Sequence, residues 1–141
     1  DGVHLPAPLL KLIYKIKGAD RTALITDAMR AAGMPEGDSV LGPLETGLKV
    51  IVEDGVAKLT DRTAFAGSVS TTDRLVRNMI QMADVSMLEA VRMMSMTPAK
   101  IMNIAHKKGS LAAGKDADIV IFNDDIQIQT TMVNGHIIYN L

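Results

Sequence analysis

Ala23-Leu24-Ile25-Thr26-Asp27-Ala28 is an apolar run that closes on a carboxylate, and Gly33 follows shortly after. The run reads as a buried strand ending at Asp27, where a loop begins. In α/β folds the ends of parallel strands are where chemistry is kept. A carboxylate there is placed to take a proton from a bound water. An Asp also ends many strands because a turn or helix cap follows, so position alone leaves both readings open. Upstream, Pro6 and Pro8 open a segment in which Leu9, Leu10, Leu12, Ile13 and Ile16 recur at helical spacing beside Lys11, Lys15 and Lys17, with Gly18 closing it. Residues 1–28 thus read as strand end, helix and strand, the repeating unit of a parallel α/β sheet.

The composition fits one globular domain: 141 residues, 48% hydrophobic and 22% charged. A net charge of −1 sets up no field for nucleic acid or an anionic membrane, and with no Trp, two Phe and two Tyr there is no platform for stacking bases. No apolar run approaches the roughly 18 residues that span a bilayer, and a signal peptide before the first element is not expected. The absence of Cys rules out a disulfide framework and fits a reducing cytoplasm. Asp1-Gly2-Val3-His4 has no initiator Met and reads like a strand entered halfway, so a cut from something longer is expected. The Met-rich stretch from Met79 to Met102 has the helical spacing of core filling rather than of a soft-metal site.

Further along, Ala31 to Pro43 is rich in Gly and Pro, lacks periodicity and reads as a loop that could cover a site. Leu48–Val52 and Val56–Leu59 flank Asp54-Gly55, predicting a β-hairpin within 47–59. Phe65-Ala66-Gly67-Ser68 has the small residues that let a backbone approach a ligand or another strand. Thr71 or Thr72 is placed to cap a helix with Leu75, Val76, Met79, Ile80 and Ala83 on its apolar side. Ser86 and Glu89 make a capping box for a second helix through about Met94. Thr97-Pro98 predicts the start of a third, with Ile101, Met102 and Ile104 buried. The tail then reads as three strands, Ile119–Phe122, Ile126–Val133 and Ile137–Tyr139, the last two joined by Asn134-Gly135. A boundary near residue 108 would divide an α/β part, 1–108, from a separate antiparallel sheet, 109–141.

Taken in order, Asp1-Gly2-Val3-His4, Leu24-Ile25-Thr26-Asp27-Ala28-Met29 with Ala32-Gly33-Met34-Pro35, and Phe65-Ala66-Gly67-Ser68 resemble the N-acetylglucosamine-6-phosphate deacetylases. Gly109 to Val120 resembles the closing strand of the wider amidohydrolase superfamily. The tail alone would indicate only the superfamily; the three upstream motifs narrow it. The resemblance implies a (β/α)₈ TIM barrel with a small β-sandwich built from both chain termini and a divalent metal, zinc or iron, at the barrel mouth. Such a barrel needs roughly 250 residues, so this chain would hold only its last strands and helices plus the C-terminal share of the sandwich. The family's metal ligands, a Glu and two His, would lie upstream, as would most phosphate-binding residues. Independently, His4, His106 and His136 are far apart and show no paired metal-site spacing.

The reaction implied is hydrolysis of the acetamide of N-acetylglucosamine 6-phosphate to glucosamine 6-phosphate and acetate, in cytoplasmic amino-sugar catabolism or cell-wall recycling. Asp27 matches the catalytic Asp, which accepts the proton of the metal-bound water and delivers it to the departing amine. His4 matches a substrate-contacting His, and Phe65, Ala66 and Gly67 match a loop on the sugar. The partners implied are a small-molecule amino-sugar phosphate and further copies of the chain, a dimer or larger. Without the resemblance, His4 reads as a satisfied strand-end histidine. His106 and His136 read as surface residues, Asp73 and Arg74 as first-turn charges, and Lys115, Asp116 and Asp118 as turn and sheet-edge residues. Rival functions are another amidohydrolase, such as a cyclic amidase or deaminase, and a noncatalytic module acting through its hydrophobic faces.

Overall fold

A computed structural model describes all 141 residues, Asp1 to Leu141. Helix α1 (Ala7–Lys17) starts after Pro6 and stops at Gly18, whose amide donates to the Tyr14 carbonyl at 2.8 Å. Of its apolar residues only Leu10 is buried, while Leu9, Leu12 and Ile16 face outward. Helices α2 (Thr72–Ala83), α3 (Met87–Met94) and α4 (Met96–Ile101) follow later in the chain, and α1 packs on α2, α2 on α3 and α3 on α4. Their core joins Leu10, Val76, Met79, Ala83, Val85, Ala90 and Met93. Ser86 caps α3: its hydroxyl accepts from the Glu89 amide at 3.3 Å and donates to the Glu89 carboxylate at 3.0 Å. Helix α4 begins two residues before Pro98, with Ser95 at its N-cap, not at Thr97-Pro98. Thr97 is drawn inside because its hydroxyl donates to the Ala19 carbonyl at 2.8 Å. The burial expected of Ile101, Met102 and Ile104 is not found; all three are exposed, since nothing in this chain lies over that end of the helix.

Residues 22–27 join no ladder, correcting the expectation of a paired strand. The Leu24 amide donates to the Met93 carbonyl at 2.9 Å, and a parallel bridge links Ala28 to Ser68. The single bridge at Ala28 is too short to make a ladder, and only the segment around Ser68 comes alongside. The expected loop 31–43 in fact contains a strand, β1 (Gly37–Leu41), hydrogen-bonded antiparallel to β2 (Leu48–Glu53), which pairs in turn with β3 (Val56–Leu59). Val40 and Leu41 find partners in Lys49 and Leu48 across the ladder, a pairing that local periodicity could not announce. The β2–β3 turn is Asp54-Gly55, both at positive φ, as a two-residue hairpin requires. Arg74 from α2 is more than a first-turn charge: it donates to the Gly55 carbonyl at 2.9 Å. The inner face of this sheet, Val50, Val52 and Ala57, packs on Met29, Ala31 and Ala66.

The tail forms a second antiparallel sheet in the order β4 (Ile119–Phe122), β5 (Ile128–Val133), β6 (His136–Asn140). Ile126, expected to begin β5, instead sits before it at positive φ with 2% of its surface exposed, inserted into the helical core. Burying a whole Ile side chain gains more than one more ladder position would. Arg77 of α2 fastens this loop by donating to the carbonyls of Asp125 and Ile126, both at 3.0 Å. No helix is long and apolar enough to cross a membrane.

Candidate active site

Asp27 ends the extended run at φ 47°, in the left-handed region that Asp tolerates better than most side chains. The residue is exposed and its carboxylate makes no hydrogen bond within the chain. The chain then turns, and the Met29 amide donates to the Ser68 carbonyl at 2.8 Å. This places Asp27 beside the segment Phe65-Ala66-Gly67-Ser68. That segment folds back along β3: the Ala66 amide donates to the Ala57 carbonyl at 2.7 Å, and the Ala57 amide to the Gly67 carbonyl at 3.2 Å. Ala66 is thereby turned into the core, while Phe65 remains 50% exposed.

His4 reaches the same segment from the amino-terminal end. Its ring stands 4.9 Å, centroid to centroid, from that of Phe65, tilted by 58°, within the range of a favourable aromatic pair. Asp1 organises the approach. One of its carboxylate oxygens accepts from the amides of Val3 at 3.1 Å and His4 at 2.9 Å, and the other is bonded to His4 Nδ1. The Asn78 side chain of α2 donates to the Asp1 carbonyl at 2.7 Å. Gly2 is needed between them, because at φ 84° a Cβ would meet Met82 Sδ at 2.8 Å and Asn78 Nδ2 at 3.1 Å.

The structure thus brings His4 and Phe65 into contact, and the backbone of Asp27 alongside that of Phe65–Ser68. His4 and Asp27 share no hydrogen bond, and both are exposed. One cleft of about 450 Å³ lies on β1 and β2 beside Asp38 and Lys49; another, mostly apolar and of about 220 Å³, runs between α1, α2 and residues 22–25 and is lined by Asp1 and Asn78. Neither is lined by His4 or Asp27. His106 and His136 are exposed and distant in sequence from both. Asp1, Gly2 and Ser68 stood in the quoted motifs without a role of their own, and Asn78 was not singled out from sequence. The signal for Asp1 was present, an Asp three residues before a His with Gly between, the pattern of a side chain folded back on its own turn.

The amidohydrolase family model matches residues 1–138. The chain belongs to the amidohydrolase family. It is 39% identical, over 97% of its length, to an N-acetylglucosamine-6-phosphate deacetylase of Lysinibacillus sphaericus, of which it covers 34%. It is 36% identical, over 97% of its length, to a putative N-acetylgalactosamine-6-phosphate deacetylase of Escherichia coli K12, of which it covers 78%. The crystal structure of the N-acetylglucosamine-6-phosphate deacetylase from Pasteurella multocida superposes with a TM-score of 0.89 and 33% identity, over 99% of this chain and 35% of that one. The chain therefore spans about a third of the length of most of the amidohydrolases it resembles. Amidohydrolases are generally metal-dependent, yet no group of three His, Asp or Glu in this chain is placed to hold an ion. The residues present do not by themselves make the family's metal centre.

Proposed function

We propose that this amidohydrolase chain is the C-terminal part of a (β/α)₈ enzyme that hydrolyses the acetamide of N-acetylglucosamine 6-phosphate in the cytoplasm. Residues 1–108 supply barrel strands and helices, and 109–141 the C-terminal strands of a β-sandwich. The observation that carries the reading is that the three motifs are linked in space: Ala28, next to the unpartnered Asp27, is bridged to Ser68, and His4 stands against Phe65 of the same segment.

An amide resists water, so a proton must leave the nucleophile and reach the amine. Asp27 is the acceptor: the attacking water passes its proton to the carboxylate as the oxygen bonds to the carbonyl carbon. The protonated Asp27 then gives that proton to the nitrogen as the C–N bond breaks, releasing acetate and glucosamine 6-phosphate. His4 and Phe65, with the backbone of Ala66 and Gly67, hold the amino sugar against Asp27. The catalytic ion, zinc or iron, belongs to residues that this chain does not contain, so the 141 residues alone are inactive and self-associate through their uncovered faces.

The test is Asp27→Asn in the full-length enzyme that this reading implies. Asn keeps the size and the tolerance of positive φ, so only the proton acceptor is lost. Turnover of N-acetylglucosamine 6-phosphate is expected to fall by about 10²–10⁴ with little change in KM. Near-normal deacetylation overturns the role. A preference for the N-acetylgalactosamine 6-phosphate epimer, or for a dihydropyrimidine, overturns the substrate.

A further inference from the structure

Asp1 has no role in the chemistry above, yet it is the best-buried ionisable side chain near the site, 6% exposed where the His4 side chain is 36% exposed. Its two oxygens do separate jobs. One gathers the amides of Val3 and His4, fixing the turn that presents the imidazole. The other takes His4 Nδ1, while Nε2 has no partner within the chain. Which nitrogen of a neutral imidazole carries the proton is set by the bond the other makes. An ionised carboxylate is acceptor-only, so it holds the proton on Nδ1 and leaves Nε2 with a free lone pair. The arrangement is braced from behind: Asn78 fixes the Asp1 carbonyl, Gly2 permits the close approach to α2, and Phe65 limits the tilt of the ring.

We propose that Asp1 is a positioning residue that selects the Nδ1–H tautomer of His4, so that Nε2 meets the substrate as a hydrogen-bond acceptor. The group recognised is then a donor, a sugar hydroxyl or the acetamide N–H, and not a phosphate or carbonyl oxygen. The substrate half of the inference rests on the role given to His4 above; the tautomer half does not.

The two halves are read separately. At a pH well above the ordinary histidine value of about 6.5, long-range ¹H–¹⁵N spectra of the 141-residue chain are expected to show His4 mainly as Nδ1–H. Asp1→Asn, whose amide can donate to Nδ1, is expected to invert this to mainly Nε2–H. A wild-type ring that is mainly Nε2–H overturns the proposal without reference to any variant, as does an Asp1→Asn ring that stays Nδ1–H. In the full-length enzyme Asp1→Asn is expected to raise KM for N-acetylglucosamine 6-phosphate by about 10–100-fold, on the scale of lost outer-shell support, with a smaller change in kcat. An inverted tautomer with unchanged KM supports Asp1's action on the ring and removes His4 from the substrate site.

Discussion

The two three-stranded sheets are built alike and buried differently. In the first, β2 sends Val50 and Val52 inward against Met29, Ala31 and Ala66, and every one of these contacts is made within the chain. In the second, all five residues of β6 are exposed, and Ile137, Ile138 and Tyr139 show apolar side chains on both faces. A strand apolar on both faces belongs inside a sheet that is covered twice. The first sheet is therefore a finished element that also shapes the candidate site, since Ala66 and Met29 lie beside Phe65 and Asp27. The second hangs on a buried plug, Ile126, with Phe122 packed beside it, and on ion pairs around Lys108.

Removing the plug should break the contrast most. Ile126→Ala deletes a side chain that is 2% exposed in the helical core, and about 2–5 kcal/mol of stability should go with it. Amide exchange in β4–β6 should accelerate far more than in β1–β3. Equal acceleration in both sheets would show that the chain unfolds as one unit. Val50→Ala attacks the other side of the comparison. Its loss, about 2 kcal/mol from the apolar surface removed, should loosen β2 and the Phe65–Ser68 segment together. In the full-length enzyme it should raise KM without the collapse of turnover expected of Asp27→Asn.

These differences explain what could be read from the sequence. The hairpin around Asp54-Gly55, the capping box at Ser86 and the Asn134-Gly135 turn are local devices, and each stands where its residues predict. Strand β1 was not legible, because Gly37-Asp38-Ser39-Val40-Leu41 becomes a strand only by pairing with β2. Ile126 was misread for the same reason: its alternation with Gln127 and Ile128 is that of a strand, but a cavity among α1, α2 and α3 claims it. Ile101 and Met102 carry the pattern of a buried helix face without finding a cover within the chain. At the site, the residue types of His4, Asp27 and Phe65 were visible as motifs. The support given by Asn78 was not, because it depends on where α2 runs, whereas that of Asp1 is local to its own turn.

The ion pairs give a smaller effect with a defined pH window. Lys108 Nζ lies 3.1 Å from Asp116 and is also bonded to Asp118. Asp118 is held below the usual carboxylate range first by Lys108 and then by the Asn134 amide, and Lys108 is held above the usual lysine range by Asp118 and then Asp116. A lowered carboxylate stabilises fully above its unfolded value, about 4, and loses this as pH falls through the folded value. A raised lysine stabilises fully below about 10.4 and loses this as pH rises through its own folded value. Lys108→Met should therefore lower the melting temperature only slightly between those limits, as exposed pairs contribute little. The difference from wild type should close as the pH falls below the usual carboxylate range. A constant difference across the whole range would mean that the lysine's aliphatic stem, not its charge, holds the second sheet.

The smallest effect on folding is expected at the outer edge. Ile138 is 66% exposed on β6, the strand that ends the β4-β5-β6 order. Ile138→Lys removes nothing that is packed, so stability should stay within about 0.5 kcal/mol. Its effect should appear between molecules. A long apolar edge offers unpaired amides and carbonyls to another chain, and an inserted lysine is a common way of blocking that pairing. Sedimentation of the 141-residue chain should shift toward smaller species in the variant at equal concentration. If Ile138→Lys associates as strongly as wild type, the sticky surface lies instead on α1, where Leu9, Leu12 and Ile16 are also uncovered. The uncovered second sheet would then contribute nothing to self-association, and the contrast between the sheets would be one of burial alone.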